Sequence, residues 1–150
     1  MDVVVPDASV ILKWALPSDD EPDVDMAQLL RSAIRDDLVH AVVPGLWIYE
    51  VGNTIARRFP AHAGAWLSAL VKFGLQEAPV SQQWLTQVLE LTDCYPVSFY
   101  DAAYHATALV HGGVFITADE SYVRHAGPHG GVVTLGEWVP PHRSGPRRRR

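Results

Sequence analysis

Short apolar runs, most of them rich in β-branched residues, alternate along this sequence with segments whose apolar residues recur at helical spacing. Short apolar runs rich in β-branched residues are typical of buried strands. Apolar residues that recur roughly every three or four positions are typical of amphipathic helices. The predicted strands are residues 3–5, 39–43, 75–80, 114–117 and 132–135. Because strands and helices alternate, we predict a three-layer α/β fold in which helices flank a central, mainly parallel sheet.

The segments with helical spacing are bounded by recognisable signals. Pro17 and Pro60 stop the first and third segments, Ser81 is a candidate N-cap of the fifth, and Gly112 and Gly113 follow the sixth. The predicted helices are residues 8–16, 26–36, 46–59, 61–73, 82–91, 99–110 and 119–125.

Length and composition predict one domain. The chain has 150 residues, of which 48% are hydrophobic, and this is enough to bury a substantial core. The net charge is −5, but residues 143–150 contain five arginines, so residues 1–142 carry −10. We predict a domain over residues 1–139 and a basic, disordered tail over residues 140–150, because proline, glycine and like charges favour a solvated chain. RNA binding by the tail is the alternative interpretation.

The sequence gives no sign of secretion or membrane insertion. Cys94 is the single cysteine, so an internal disulfide is excluded, and no apolar run approaches the roughly 20 residues needed to span a bilayer. Asp2 and Asp7 interrupt the N-terminal apolar run, which argues against a signal peptide. We therefore expect a cytoplasmic protein without a membrane segment, and we interpret Cys94 as a small buried apolar residue.

Four carboxylates stand in unusually apolar surroundings. Asp7 and Asp119 directly follow predicted strands, while Glu50 and Asp101 lie inside apolar helical segments. The carboxyl ends of parallel strands share one edge of a sheet, so Asp7 and Asp119 are expected at the same edge. Ionised carboxylates rarely enter apolar surroundings without a partner, and residues 1–142 contain few lysines and arginines. A divalent cation is the simplest partner.

The donor types favour a hard cation. Carboxylate oxygens without a histidine or cysteine cluster favour Mg²⁺, with Mn²⁺ as a substitute, over Zn²⁺. Such an ion activates water and stabilises charge on a phosphoryl oxygen, so a strongly acidic protein can still hydrolyse an acidic polymer. Each acid also has a purely structural interpretation, because Asp7, Asp101 and Asp119 are candidate helix caps and Glu50 is a candidate solvated helix residue.

The order and spacing of these acids match a known pattern. The sequence resembles the PIN-domain family, and within it the VapC toxins of bacterial toxin–antitoxin pairs, from about Asp2 to about Leu135. The resemblance rests on Val-Pro-Asp7-Ala-Ser9-Val, on Pro44 followed by Tyr49-Glu50-Val-Gly-Asn53, on Tyr100-Asp101-Ala-Ala-Tyr104 followed by Ala106, and on Ile116-Thr117-Ala-Asp119.

The resemblance implies a PIN-like fold and a magnesium-dependent endoribonuclease that cleaves structured RNA such as transfer or ribosomal RNA. It also implies a homodimer that is inhibited by a VapB-like antitoxin. By position, the catalytic and metal-binding residues would be Asp7, Glu50, Asp101 and Asp119, with Asp7 and Asp101 as the principal metal ligands. Ser9, Asn53 and Thr117 would be supporting polar residues that orient the carboxylates or waters.

Two other functions fit part of the pattern. A phospho-accepting regulatory domain would also bind Mg²⁺ in an acidic cluster of an α/β fold, but no lysine follows a late strand to hold a phosphoryl group. The second alternative is a catalytically inactive PIN-like domain that binds a basic peptide in its acidic cleft. The histidines have no compact metal-binding spacing, and we interpret His105 as a core or rim residue.

Overall fold

The computed structural model describes residues 1–17 and 21–142, which form a five-stranded, entirely parallel sheet flanked by helices. The strands are β1 (Asp2–Pro6), β2 (Val39–Pro44), β3 (Gln76–Ala78), β4 (Val114–Thr117) and β5 (Val132–Thr134). The predicted α/β class with a central parallel sheet is confirmed. The described residues do not include residues 18–20, nor residues 143–150 of the predicted tail.

Every predicted helical segment contains a helix, although several ends differ by a few residues. The helices are α1 (Ala8–Ala15), α2 (Val24–Arg35), α3 (Trp47–Arg58), α4 (Ala63–Phe73), α5 (Gln82–Cys94), α6 (Phe99–Val110) and α7 (Glu120–Ala126). Short 3-10 turns at Gly127–His129 and Leu135–Glu137 follow α7 and β5. Within the described part of the chain, no helix is long and apolar enough to cross a membrane.

The sheet has the strand order β3-β2-β1-β4-β5. The chain therefore proceeds outward from β1 through β2 to β3, then returns through α5 and α6 to begin the other half at β4. This reversal creates a topological switch point between β1 and β4, where parallel α/β sheets usually bind ligands. Pro6 is paired with Ile116 at this point, and the backbone N–H of Asp7 donates to the carbonyl of Ile116 over 2.9 Å.

Alternate strand residues pack against helices on opposite faces of the sheet, as the two-residue repeat of a strand requires. Val5, Val43 and Phe115 belong to a core with α1, α3 and α6, and Val4 and Ile116 belong to a second core with α2. A third, smaller cluster joins α5 to α6 through alanines and Trp84. Both faces of the sheet are therefore covered, which explains the continuous apolar runs of the strands.

The prediction for Cys94 was wrong, because its side chain is exposed. The apolar face of α5 is formed by Trp84, Val88 and Leu91, which pack towards α6. Cys94 is the last residue of α5, three positions beyond Leu91, but the apolar face continues at Tyr95, which packs against the core. An apolar residue type alone therefore does not place a side chain on the buried face of a helix.

We predict that Gly113→Ala destabilises the fold, because the start of β4 leaves no room for a side chain. A Cβ atom at this position would lie 2.5 Å from the backbone oxygen of Val3 and 2.9 Å from the Val3 Cβ. Backbone atoms of a central strand cannot move aside cheaply, so we expect a loss of about 1–3 kcal/mol in the free energy of unfolding. Urea denaturation followed by circular dichroism measures the loss.

Gly64→Ala is the matched control. A Cβ at Gly64 meets no atom within 4 Å, and Gly64 lies in the first turn of α4. Alanine favours helix over glycine by about 1 kcal/mol at most, so this variant should be as stable as the parent or slightly more stable. Equal stability of the two alanine variants would contradict the proposed close contact between Gly113 and Val3.

Candidate active site

The four predicted carboxylates lie at the carboxyl edge of the sheet. Asp7 and Asp119 follow β1 and β4, the two strands at the switch point. Glu50 and Asp101 lie in the first turns of α3 and α6. The chain thus brings acids from four separate segments to one edge of the sheet. Strand geometry predicts this edge for Asp7 and Asp119, and the family resemblance implies the same site for Glu50 and Asp101.

Asp7 is buried and held by three hydrogen bonds to one of its oxygens. The Oδ2 atom accepts from the Ser9 hydroxyl at 2.6 Å, the Ser9 backbone N–H at 3.4 Å and the Thr117 hydroxyl at 3.1 Å. Only 7% of Asp7 is exposed. Since all three donors reach Oδ2, the carboxylate is fixed in orientation, while Oδ1 makes no hydrogen bond to any residue in the ranges 1–17 and 21–142.

Ser9 and Thr117 also connect the two strand ends to each other. The Ser9 hydroxyl accepts from the backbone N–H of Ala118, and the Thr117 hydroxyl accepts from the backbone N–H of Asp119, each over 3.1 Å. Each hydroxyl therefore donates to Asp7 and accepts from the segment after β4. Asn53, the third predicted supporting residue, is exposed on α3 and makes no hydrogen bond to a described residue.

Two of the acids also cap the helices that follow them, and a third does not. Asp7 caps α1 through the N–H of Ser9, and Asp119 caps α7 by accepting from the N–H of Tyr122 over 3.2 Å. Ser98, rather than Asp101, caps α6. A capping role and a place in the carboxylate cluster are therefore compatible for Asp7 and Asp119, and Asp101 is free of a capping role.

The carboxylates raise one another's pKa values. Burial is the main cause of the raised pKa of Asp7, and the charge of Asp101 adds to it. The pKa of Glu50 rises to about 7 through burial and then through the charges of Asp7 and Asp101. The pKa of Asp101 rises through burial, and nearby Asp119 adds to it. This chain of repulsions joins all four acids, and no described cation offsets it.

Tyr104 is the residue that sequence reasoning missed at this site. Its ring is buried and stacks on Phe115 with centroids 5.8 Å apart. Its hydroxyl lies beside Glu50, and the pKa of Tyr104 is raised by burial and then by the charge of Glu50. The signal was its position three residues after Asp101, which places both on the same side of α6.

Two buried polar atoms of this region lack a hydrogen bond of ordinary geometry within the described part of the chain. They are Oε1 of Glu50 and the hydroxyl oxygen of Tyr104. The two groups lie beside each other, and a contact of poor geometry between them leaves the carboxylate open to a positive partner. Hard oxygen donors of this kind suit a divalent cation such as Mg²⁺ or Mn²⁺.

The side chains of the four carboxylates do not surround a single point. Among residues 1–17 and 21–142, no three acidic, histidine or cysteine side chains are close enough together to hold one metal ion. The electrostatic coupling of the acids and the Oε1 atom of Glu50, which lacks a hydrogen bond of ordinary geometry to a described residue, are compatible with a cation at this edge of the sheet.

His105 is a core residue, as predicted. It is fully buried, its Nδ1 lies 2.8 Å from the Tyr122 hydroxyl, and its Nε2 lies 2.7 Å from the carbonyl oxygen of Gly130. Burial lowers the pKa of His105, which keeps the ring neutral. Both ring nitrogens are engaged, so this histidine ties α6 to α7 and to the turn before β5.

Solved structures with the same fold are distant in sequence. The protein PAE2754 of Pyrobaculum aerophilum has a TM-score of 0.64 and 19% identity, with 90% of each chain covered. A toxin–antitoxin complex from Klebsiella pneumoniae has a TM-score of 0.63 and 17% identity, over 88% of this chain and 97% of that one. VapBC2 of Rickettsia felis, bound to a DNA fragment from its promoter, has a TM-score of 0.64 and 10% identity, over 91% and 99%.

Sequence comparison gives a family but no close relative. A search of curated proteins finds no significant match. A family model described as PIN domain matches residues 4–128, which include all four carboxylates of the cluster and the strands that carry two of them. The chain belongs to the PIN domain family.

Proposed function

We propose that this protein is a magnesium-dependent endoribonuclease and the toxin component of a VapBC-type toxin–antitoxin pair. The observation that carries the proposal is that Asp7, Glu50, Asp101 and Asp119 lie at one edge of the sheet, electrostatically coupled to one another and without a described cation to neutralise them. Structural acids are normally paired with basic residues, whereas acids that bind a metal are not.

Asp7 and Asp101 would be the principal ligands of Mg²⁺, or of Mn²⁺ in its place, with Asp119 and Glu50 completing the set. When bound, the ion supplies an activated water and neutralises charge that develops on a phosphoryl oxygen. Ser9 and Thr117 hold Asp7 by Oδ2 alone, so Oδ1 remains available as a ligand atom.

Glu50 is the candidate proton acceptor. Its carboxylate is half-buried in the cluster, and its Oε1 atom makes no hydrogen bond of ordinary geometry within the described part of the chain. We propose that Glu50 orients the attacking water and holds its proton. Asn53 lies one turn further along α3 on the same side as Glu50 and is proposed to orient a water or the substrate.

The proposed partners follow from the family and the neighbours. Two of the similar structures come from a toxin–antitoxin complex and from a VapBC pair, which supports a VapB-like antitoxin as partner. The resemblance of the sequence to VapC toxins supports structured RNA, such as transfer or ribosomal RNA, as substrate and a homodimer as the assembly. An antitoxin that carries arginine or lysine could block the acidic cluster directly.

RNA cleavage that depends on a divalent ion tests the activity. Total RNA incubated with the protein and MgCl₂ should be cleaved into discrete fragments, and excess EDTA should stop cleavage until Mg²⁺ is restored. Asp7→Asn removes a charged ligand but keeps oxygen as acceptor for Ser9 and Thr117, so we expect at least about 100-fold slower cleavage by a folded protein. Fragment patterns on gels and circular dichroism give the two measurements.

Asp93→Asn is the matched control, because Asp93 is exposed on α5 and outside the cluster. It should cleave RNA at the parent rate. Full activity of folded Asp7→Asn would disprove the proposed reaction. A stable mass gain of one phosphoryl group from a small phosphodonor, without RNA cleavage, would favour the phospho-accepting alternative.

The raised pKa of Glu50 predicts how stability depends on pH in the absence of metal. Glu50 takes up its proton near pH 7 when folded and near 4.5 when unfolded, so raising the pH between these values favours the unfolded state. The thermal midpoint in EDTA should therefore fall from pH 5 to pH 8, and MgCl₂ should restore it mainly at pH 8. Differential scanning fluorimetry measures these midpoints.

Glu50→Gln isolates this contribution from those of other titrating groups. The variant cannot ionise at this position, so its midpoint should fall less between pH 5 and pH 8, and at pH 8 in EDTA it should exceed that of the parent. A parent and variant with identical pH profiles would show that Glu50 keeps an ordinary pKa.

Growth arrest tests the proposed biological role. Induced expression of the chain in a bacterial host should stop growth, because a ribonuclease without its antitoxin degrades the host's RNA. Asp7→Asn should permit growth at equal expression, and Asp93→Asn should arrest it like the parent. Colony counts after induction, with protein amounts checked by immunoblot, are the measurement. Arrest by Asp7→Asn would separate toxicity from RNA hydrolysis.

A further inference from the structure

An open apolar cavity adjoins the carboxylate cluster. It measures about 260 Å³ and lies beyond the ends of β2 and β3, where Pro44 and Ala78 are the last residues. Its lining includes Pro44, Pro79, Val80, Trp84, Phe99 and Tyr100. Tyr100 directly precedes Asp101 in the first turn of α6, so the cavity and the carboxylate cluster are neighbours at the start of this helix.

The aromatic walls of the cavity are held in place. The indole N–H of Trp84 lies 3.2 Å from the carbonyl oxygen of Ala103 and 3.1 Å from the Thr107 hydroxyl. Phe99 packs edge-on against Trp84, with centroids 6.0 Å apart and an interplanar angle of 78°. Tyr100, by contrast, is 66% exposed and stands free at the mouth. The fixed rings of Trp84 and Phe99 and the exposed ring of Tyr100 are suited to bind a planar group.

The chemistry of the walls excludes a phosphate group. Among the residues that the structure describes, no charged side chain lines the cavity, and the neighbouring carboxylates repel anions. An RNA strand also carries bases, which are uncharged at neutral pH and stack on aromatic rings without regard to surrounding negative charge. The volume is several times the roughly 30 Å³ of a water molecule, and it falls below the size of sites for drug-like ligands. A single base is larger than a water molecule and smaller than a drug-like ligand, so its size fits the cavity.

We infer that Tyr100 and this cavity hold a single unstacked nucleobase of the RNA strand whose phosphodiester lies at the carboxylate cluster. The inference rests on the proposed function. Phosphate contacts are weak in acidic surroundings, so base stacking here would supply the binding affinity instead. It would also fix the position of the strand relative to Asp101. Tyr100 is thus a substrate-positioning residue, and a second copy of the chain is the competing occupant of the cavity.

Tyr49 provides a matched control for Tyr100. It is also exposed, at 78%, and it precedes a carboxylate of the cluster, Glu50, as Tyr100 precedes Asp101. It does not line the cavity. Replacing either tyrosine by alanine therefore removes the same exposed ring beside the cluster, but only one of the two changes removes a wall of the cavity.

Binding is measured in an Asp7→Asn background, so that the probe stays intact. The probe is fluorescein-labelled dodeca-adenylate, and fluorescence anisotropy in MgCl₂ gives the dissociation constant. Tyr100→Ala should weaken binding by about 5- to 150-fold, the range of one base–aromatic stack. Tyr100→Phe, which keeps the ring, and Tyr49→Ala should bind like the background protein. In the active protein, Tyr100→Ala should raise KM for RNA far more than it changes kcat.

Three outcomes would overturn the inference. They are unchanged binding by Tyr100→Ala, equal loss in Tyr49→Ala and Tyr100→Ala, and no binding of the probe by the background protein. A change of mass in light scattering with Tyr100→Ala alone would assign the cavity to a second copy and also overturn it. If the unmodified protein cleaves RNA in any of these cases, the proposed function stands and only the base site fails.

Discussion

The pairing of β1 with β4 is the constraint on which the site depends. These strands are separated by more than half of the chain, yet they lie side by side at the switch point with Pro6 opposite Ile116. Asp7 and Asp119 follow them directly and therefore emerge at the same edge. The hydroxyls of Ser9 and Thr117 then link the two strand ends, so the orientation of Asp7 is a consequence of sheet register rather than of a flexible loop.

This arrangement opposes folding unless a positive partner is present. Asp7, Glu50 and Asp101 each lose hydration on burial and each experience the charge of another acid. A protein accepts such strain where function requires it and compensates elsewhere. Here the compensation comes from apolar cores on both faces of the sheet. Tyr104 belongs to one of these cores and its hydroxyl lies beside Glu50, so the site is built directly onto the part of the fold that stabilises it.

Sequence reasoning succeeds where one local pattern determines the outcome. Apolar periodicity identifies the strands and helices, and parallel strands force Asp7 and Asp119 to a common edge. It does not reach contacts between distant segments, such as the Tyr104 hydroxyl beside Glu50, because these depend on how α3 packs against α6. Nor does it give the exposure of Cys94, since an apolar residue type does not say which face of a helix the residue occupies.

On the proposed function, the acidity of the protein limits how an RNA strand is held. Residues 1–142 carry a net charge of −10, and phosphate contacts normally require lysine and arginine. A divalent ion offsets repulsion only at the phosphodiester that it touches, so the rest of the strand needs uncharged contacts. Bases on aromatic surfaces provide these, and their strength depends little on salt compared with ion pairs. Binding through the cluster and its aromatic rim should therefore vary less with salt than binding by a basic nuclease.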